Sequence, residues 1–101
     1  MLSFAGTVVC MAPEILYGNK YSNGCDLYCI GATIYCLYFG KYPFNENILI
    51  SLDRKKFDVN VKILEDKNLE DLINRLLKKN DKERITWEEY FEHPFFKQYE
   101  Y

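Results

Sequence analysis

A chain of 101 residues in which 49% are hydrophobic, 17% aromatic and 28% charged carries the apolar surface of one folding unit, which disordered chains lack. Its formal net charge of -2 offers no basic stripe, which argues against nucleic acid as a partner. Met1 is followed by no basic segment, long apolar run and small-residue cleavage site, so the expectation is an intracellular, cytoplasmic protein whose four cysteines are reduced thiols.

In chain order, "APEILYG" (12–18) predicts a short helix, with Pro13 in the first turn and Gly18 just past the end. "KYSNG" is a turn. A helix follows within "CDLYCIGATIYCLYFGKYPF" (25–44), where Asp26 suits the positive end of the helix dipole and Gly40 and Pro43 stop the run. Leu27 to Phe39 is uncharged; its thirteen residues span only about 20 Å, short of a membrane crossing, so the expectation is a helix buried on all sides and no membrane.

"NENILISLDRKKF" (45–57) is a weaker helix candidate. In "NLEDLINRLLKKN" (68–80), Leu69, Leu72, Ile73, Leu76 and Leu77 recur at i, i+3, i+4, i+7 and i+8, with Asn68 as the expected N-cap. Thr86 and Glu89 form a capping box that opens "WEEYFEH", and His93 before Pro94 reads as a helix-end residue. No strand pattern stands out, which gives an all-α fold of about five helices. Charge is uneven: residues 1–40 carry only Glu14, Lys20 and Asp26, so the first part reads as interior and the rest as amphipathic helices.

Three blocks, "GTVVCMAPE", "DLYCIGATIYCLYFGKYPF" and "RITWEEYFEHPFF", resemble in order and spacing the second half of the large lobe of a eukaryotic serine/threonine protein kinase, over residues 3–97. Ala12-Pro13-Glu14 stands where the family has A-P-E, at the end of the activation segment. The resemblance implies a partial kinase domain over residues 1–101. It implies that Thr7 matches the threonine that contacts the catalytic aspartate and lysine, and that Val8, Val9 and Cys10 line the pocket for the residue after the phosphoacceptor. Cys10 departs from the aromatic residue usual there.

By the same resemblance, Glu14 and Arg84 form a buried ion pair across 70 residues of sequence, and Asp26 accepts backbone N–H groups of the catalytic loop. Leu27-Tyr28-Cys29 replaces the family's V-W-S after that aspartate. Ser3, the only hydroxyl-bearing residue before Gly6, is a possible phosphosite, since added charge in such a segment orders it by pairing with arginines.

Phosphoryl transfer needs groups that hold ATP phosphates and magnesium and a base that takes the hydroxyl proton. The sequence has no G-x-G-x-x-G and no Asp-Phe-Gly, and its one histidine lies in "EHPFF". No catalytic residue is therefore assigned, and the chain reads as beginning inside an activation loop, without catalytic loop or small lobe. ATP and magnesium are expected of the full-length family member, not of these residues, and its partner is a protein substrate. Two readings stay open: a truncated kinase, or a kinase-derived piece with a non-catalytic binding or regulatory role. The missing half of the domain, or a chaperone, is expected to be needed for stability.

A metal site is the third possibility. Cys25, Cys29 and Cys36 share a helix face, but Cys25 and Cys36 would lie about 16 Å apart along the axis, too far for one ion with zinc–sulfur bonds of about 2.3 Å. Core thiols are the expectation, and no metal is assigned.

Overall fold

Four helices account for most of the chain that can be described: α1 (Asn23–Phe39), α2 (Lys67–Leu76), α3 (Trp87–Phe91) and α4 (Pro94–Lys97). The computed structural model describes residues 12–13, 23–43 and 58–98, and among these there is no strand. The helices expected over 12–18 and 45–57 lie outside the described residues, apart from Ala12 and Pro13. The all-α expectation holds, and α4 is an element the sequence reading did not foresee.

Helix α1 stops where expected. Gly40 takes φ of 80°, a left-handed value that costs a glycine nothing, and its N–H donates to the Cys36 carbonyl at 2.8 Å. The N-cap of α2 differs from expectation: it is Asp66, not Asn68, because Asp66 Oδ1 accepts the Leu69 N–H at 3.0 Å while Asn68 already lies in the first turn. The capping box of α3 is present in both directions. Glu89 N–H donates to Thr86 Oγ1 at 3.1 Å, and Thr86 N–H donates to Glu89 Oε1 at 3.0 Å.

Helix α2 presents two ridges to α1. Leu69, Ile73 and Leu77 join Cys25, Tyr28 and Ala32 of α1, together with Ala12, Val61 and Ile63. Leu72 and Leu76 join Leu27 and Ile85. Ile34 and Phe95 pack against both groups and make the core continuous. The helices approach closely at Gly31, where an added Cβ would lie 2.7 Å from Leu76 Cβ.

The expectation that α1 is buried on all sides is corrected. Asp26, Thr33 and Leu37 form an open stripe flanked by half-buried Cys29 and Ile30, and Leu37 is 81% exposed. The buried residues Cys25, Leu27, Tyr28, Gly31 and Ala32 occupy the opposite side. The physical reason is that α2 and the residues after it cover one flank of α1 only.

Residues 58–63 show an alternation that the sequence reading passed over. Val59, Val61 and Ile63 turn inward, fully or in part, while Asp58, Asn60 and Lys62 are exposed. Among the described residues the segment pairs with no strand, and side chains bond its backbone instead. Val61 N–H donates to Asn74 Oδ1 at 2.8 Å, Asn74 Nδ2 donates back to the Val61 carbonyl at 3.0 Å, and Ile63 N–H donates to Glu70 Oε1 at 2.8 Å. Asn74 thus supplies a donor and an acceptor in the place of a neighbouring strand.

Candidate functional site

Arg84 is the buried lysine-or-arginine cation among the described residues. It is 4% exposed, and its guanidinium donates from Nε to the Lys78 carbonyl at 3.0 Å, from Nη1 to the Gly24 carbonyl at 2.8 Å and from Nη2 to the Lys79 carbonyl at 3.5 Å. Its Cζ lies 5.0 Å from the centroid of the Tyr28 ring, within cation–π range. A buried guanidinium must be hydrogen-bonded or its desolvation is uncompensated. Here it spends its donors on the loop that carries it and on the first turn of α1, so the loop after α2 and the start of α1 are tied through one side chain.

Ala12 and Pro13 are buried, and Ala12 belongs to the same core group as Tyr28. The Ala-Pro dipeptide and Arg84 therefore bring two of the three motif blocks to Tyr28, a residue of the third. Glu14, the expected partner of Arg84, lies outside the described residues, as do Ser3, Thr7, Val8, Val9 and Cys10.

Asp26 stands exposed in the first turn of α1. It is one wall of a groove of about 360 Å³ whose other lining residues are Cys29, Ile30, Thr33, Ile34 and Tyr90. The floor is apolar and the rim polar: Thr33 Oγ1 donates to the Cys29 carbonyl at 2.9 Å, and burial pushes the Tyr90 hydroxyl above its ordinary pKa. Cys25, Cys29 and Cys36 are present as thiols and not as disulfide sulfurs. Among the described residues, no three His, Cys, Asp or Glu side chains stand together as a metal site would require, and no helix is long and apolar enough to cross a membrane.

The arrangement joins a buried arginine, an Ala-Pro at the core and an open, aspartate-headed stripe on α1. The family comparison agrees with it, because the protein kinase domain matches residues 1–96. The chain belongs to the protein kinase domain family. Among curated relatives, the serine/threonine-protein kinase atg1 of Botryotinia fuckeliana is 34% identical over 98 residues, covering 91% of this chain and 10% of the relative. The serine/threonine-protein kinase ATG1a of Arabidopsis thaliana is 37% identical over 103 residues, covering 95% and 16%. A Dictyostelium discoideum relative named "Probable inactive serine/threonine-protein kinase" is 33% identical over 100 residues, covering 86% and 12%. The kinase chain described here thus spans between 10% and 16% of the length of these relatives.

Several supporting residues had no motif to announce them. Asn74 and Glu70 lie between the apolar positions of the 68–80 segment, yet both hold backbone. Their signal is weak: each lies on the flank of α2 that faces the 59–63 alternation, and only the pairing of the two patterns would single them out.

Proposed function

We propose that this chain is the part of a serine/threonine kinase domain that carries the substrate-facing end of the activation segment, Thr7 to Glu14, and the helices that support it. The whole protein would transfer the terminal phosphate of ATP to serine or threonine hydroxyls of a protein substrate. The observation that carries this reading is Arg84, buried against Tyr28 and bonded to Gly24, close to the core group that holds Ala12. Glu14 follows Ala12 by two residues, and its carboxylate is the counter-charge expected for that guanidinium. Thr7 would contact the catalytic aspartate and lysine, and Val8, Val9 and Cys10 would line the pocket beyond the phosphoacceptor. Asp26 would accept N–H groups of the catalytic loop across the open groove, and phosphorylation at Ser3 would order the segment.

ATP and magnesium belong to the whole family member. The sequence has no G-x-G-x-x-G and no Asp-Phe-Gly, and these 101 residues alone are proposed to transfer no phosphate. The rest of the kinase domain, or a chaperone, would cover the open stripe of α1. An intracellular location agrees with Cys25, Cys29 and Cys36 standing as thiols and not as disulfides. A second reading, a non-catalytic kinase-derived module, is favoured by the Dictyostelium relative whose name marks it inactive.

A double-mutant cycle over Glu14→Gln and Arg84→Met tests the layout. Coupling well above the ~0–1 kcal/mol of a surface pair is expected, since breaking one side of a buried pair costs about 3–5 kcal/mol. Additive effects would reject the arrangement. A radiolabel transfer assay separates the activities: the isolated chain should stay at background, and the same chain within its full-length protein should phosphorylate a serine/threonine peptide. Silence of the full-length protein would favour the second reading.

A further inference from the structure

Residues 58–63 take no part in the kinase reading above, and they are held along one side only. In an extended chain the N–H and carbonyl of one residue point to one side and those of the next residue to the other. Val61 spends both groups on Asn74, and Ile63 spends its N–H on Glu70, so the odd-numbered positions face α2. Asn60 and Lys62 turn theirs the opposite way. Both residues are exposed, and neither backbone makes a hydrogen bond to a described residue. The outer side of the segment is therefore an edge of N–H and carbonyl groups, alternating as a neighbouring strand requires.

We propose that this edge docks an extended peptide segment of another protein, added as an antiparallel strand with a carboxylate side chain opposite Lys62. In such a pair, residues directly opposite each other exchange both backbone bonds. The peptide residue facing Lys62 and the one two positions further, facing Asn60, would complete the edge.

Charge selects the occupant. Lys62 stands on the outward face and makes no ion pair among the described residues; it acts on Glu70 only at a distance, and Glu70 is itself bonded to Lys67 and the Ile63 N–H. The carboxylate of the segment, Asp58, accepts the Lys79 N–H at 2.8 Å and lies 3.9 Å from Lys78 Nζ. A second copy of the edge would bring another lysine and no uncommitted carboxylate, and a lysine on an edge guards against such self-pairing. A foreign strand with Asp or Glu opposite Lys62 gains a cross-strand pair of opposite charge instead. The edge is also short. Beyond Lys62 the chain turns, with the Ile63 carbonyl accepting the Asp66 N–H at 3.4 Å. Main-chain bonds carry the affinity when a peptide adds to an edge, and so few of them suit a transient peptide contact, not a permanent interface.

The test uses the full-length protein that carries this chain and a fluorescein-labelled, end-blocked peptide, Thr-Val-Glu-Val-Thr-Val, followed by anisotropy and by hydrogen-exchange mass spectrometry. Binding should protect the Asn60 and Lys62 amides and leave those of Val61 and Ile63, already bonded, as they were. N-methylation of the glutamate and of the threonine two residues after it should weaken binding about tenfold, the scale of two lost hydrogen bonds. N-methylation of the two valines beside the glutamate should not. Replacing the glutamate by lysine should weaken binding about two- to fivefold, and Lys62→Glu should reverse that preference. The proposal fails if the peptide does not bind, if the two methylated peptides bind alike, or if Lys62→Glu keeps the preference for glutamate. It also fails if the Asn60 and Lys62 amides are protected without peptide: protection that grows with protein concentration would assign the edge to a second copy, and protection independent of concentration would mean that the rest of the protein covers it.

Discussion

Helix α2 and the second half of α1 are both rich in apolar residues, yet burial divides them. Every apolar residue of α2, from Leu69 to Leu76, is buried, and polar residues fill the positions between. In α1 no charge interrupts Leu27 to Phe39, but Leu37, Tyr38 and Phe39 are exposed. The apolar stripe of α2 is as wide as its cover. The apolar surface of α1 exceeds what residues 58–98 cover, so Leu37, Tyr38 and Phe39 stay open to solvent.

Deleting side chains on the two helices sharpens this contrast most. Leu76→Ala should cost about 2–5 kcal/mol, since the transfer term and the cavity add at a fully buried site. Leu37→Ala should stay within about 0.5 kcal/mol. Urea denaturation of the two variants decides it, and equal losses would mean that the end of α1 is covered in solution by association.

Adding a methyl group probes the same division from the other side. At Gly31 an alanine Cβ would sit 2.7 Å from Leu76 Cβ and 3.0 Å from two carbons of Leu77. Helix propensity favours alanine by about 1 kcal/mol, but Leu76 Cβ is anchored to its own backbone and cannot rotate away. Overpacking should win, with a net loss of about 1–3 kcal/mol. On the open stripe, Thr33→Ala has no neighbour to strike and removes a hydroxyl bonded back to Cys29, so it should be neutral or stabilising by a few tenths of a kcal/mol. Thermal melts of both should shift in opposite directions.

What the sequence made legible follows the same boundary. The ridges of α2, the stop at Gly40 and the capping box at Thr86 could be read because each is local: a period, a glycine, a pair three residues apart. The burial of α1 was misjudged because a run of apolar residues reports how much surface wants cover and not how much is available. Asp66 displaced Asn68 as N-cap because two capping residues lay within one turn, and only the position of Leu69 N–H selects between them. The alternation at 58–63 has only three apolar positions, too few to stand out as a strand, and its backbone bonds the side chains of Asn74 and Glu70, which no local pattern announces. Of the candidate site, Arg84 and Asp26 could be found through the family motifs alone; the partners of Arg84 at Gly24, Lys78 and Lys79 are backbone carbonyls and leave no mark in side-chain identity.

Local capping gives a smaller and more specific effect. Thr86→Ala should cost about 1 kcal/mol by leaving the Glu89 N–H without its acceptor, whereas Thr86→Ser should cost almost nothing. Urea denaturation of both variants checks this. Equal losses from the two would mean that the threonine methyl group, not its hydroxyl, matters at this position.

The smallest effect is in acid, and its sign follows from three carboxylates that hold the α2 and α3 side of the molecule. Glu70 is held below its ordinary pKa chiefly by the Ile63 N–H and then by Lys67; Glu89 chiefly by the Thr86 N–H; and Glu65 chiefly by the Tyr38 hydroxyl, which donates to it. A carboxyl whose folded pKa is depressed adds stability that is fully present above its unfolded pKa and is lost as pH falls through the folded value. These three groups should therefore cost the chain stability only as pH falls below the ordinary carboxylate range, and no step from them should occur near neutrality. Glu70→Gln keeps an oxygen for Ile63 N–H but removes the titration, so its melting temperature should vary less between about pH 5 and 3 than that of the parent chain. Tyr38→Phe should act more weakly in the same window, because its hydroxyl lies at the exposed end of α1, where solvent can replace the lost donor. A Tyr38→Phe effect larger than that of Glu70→Gln would reverse the comparison and make the end of α1 the better anchored of the two regions.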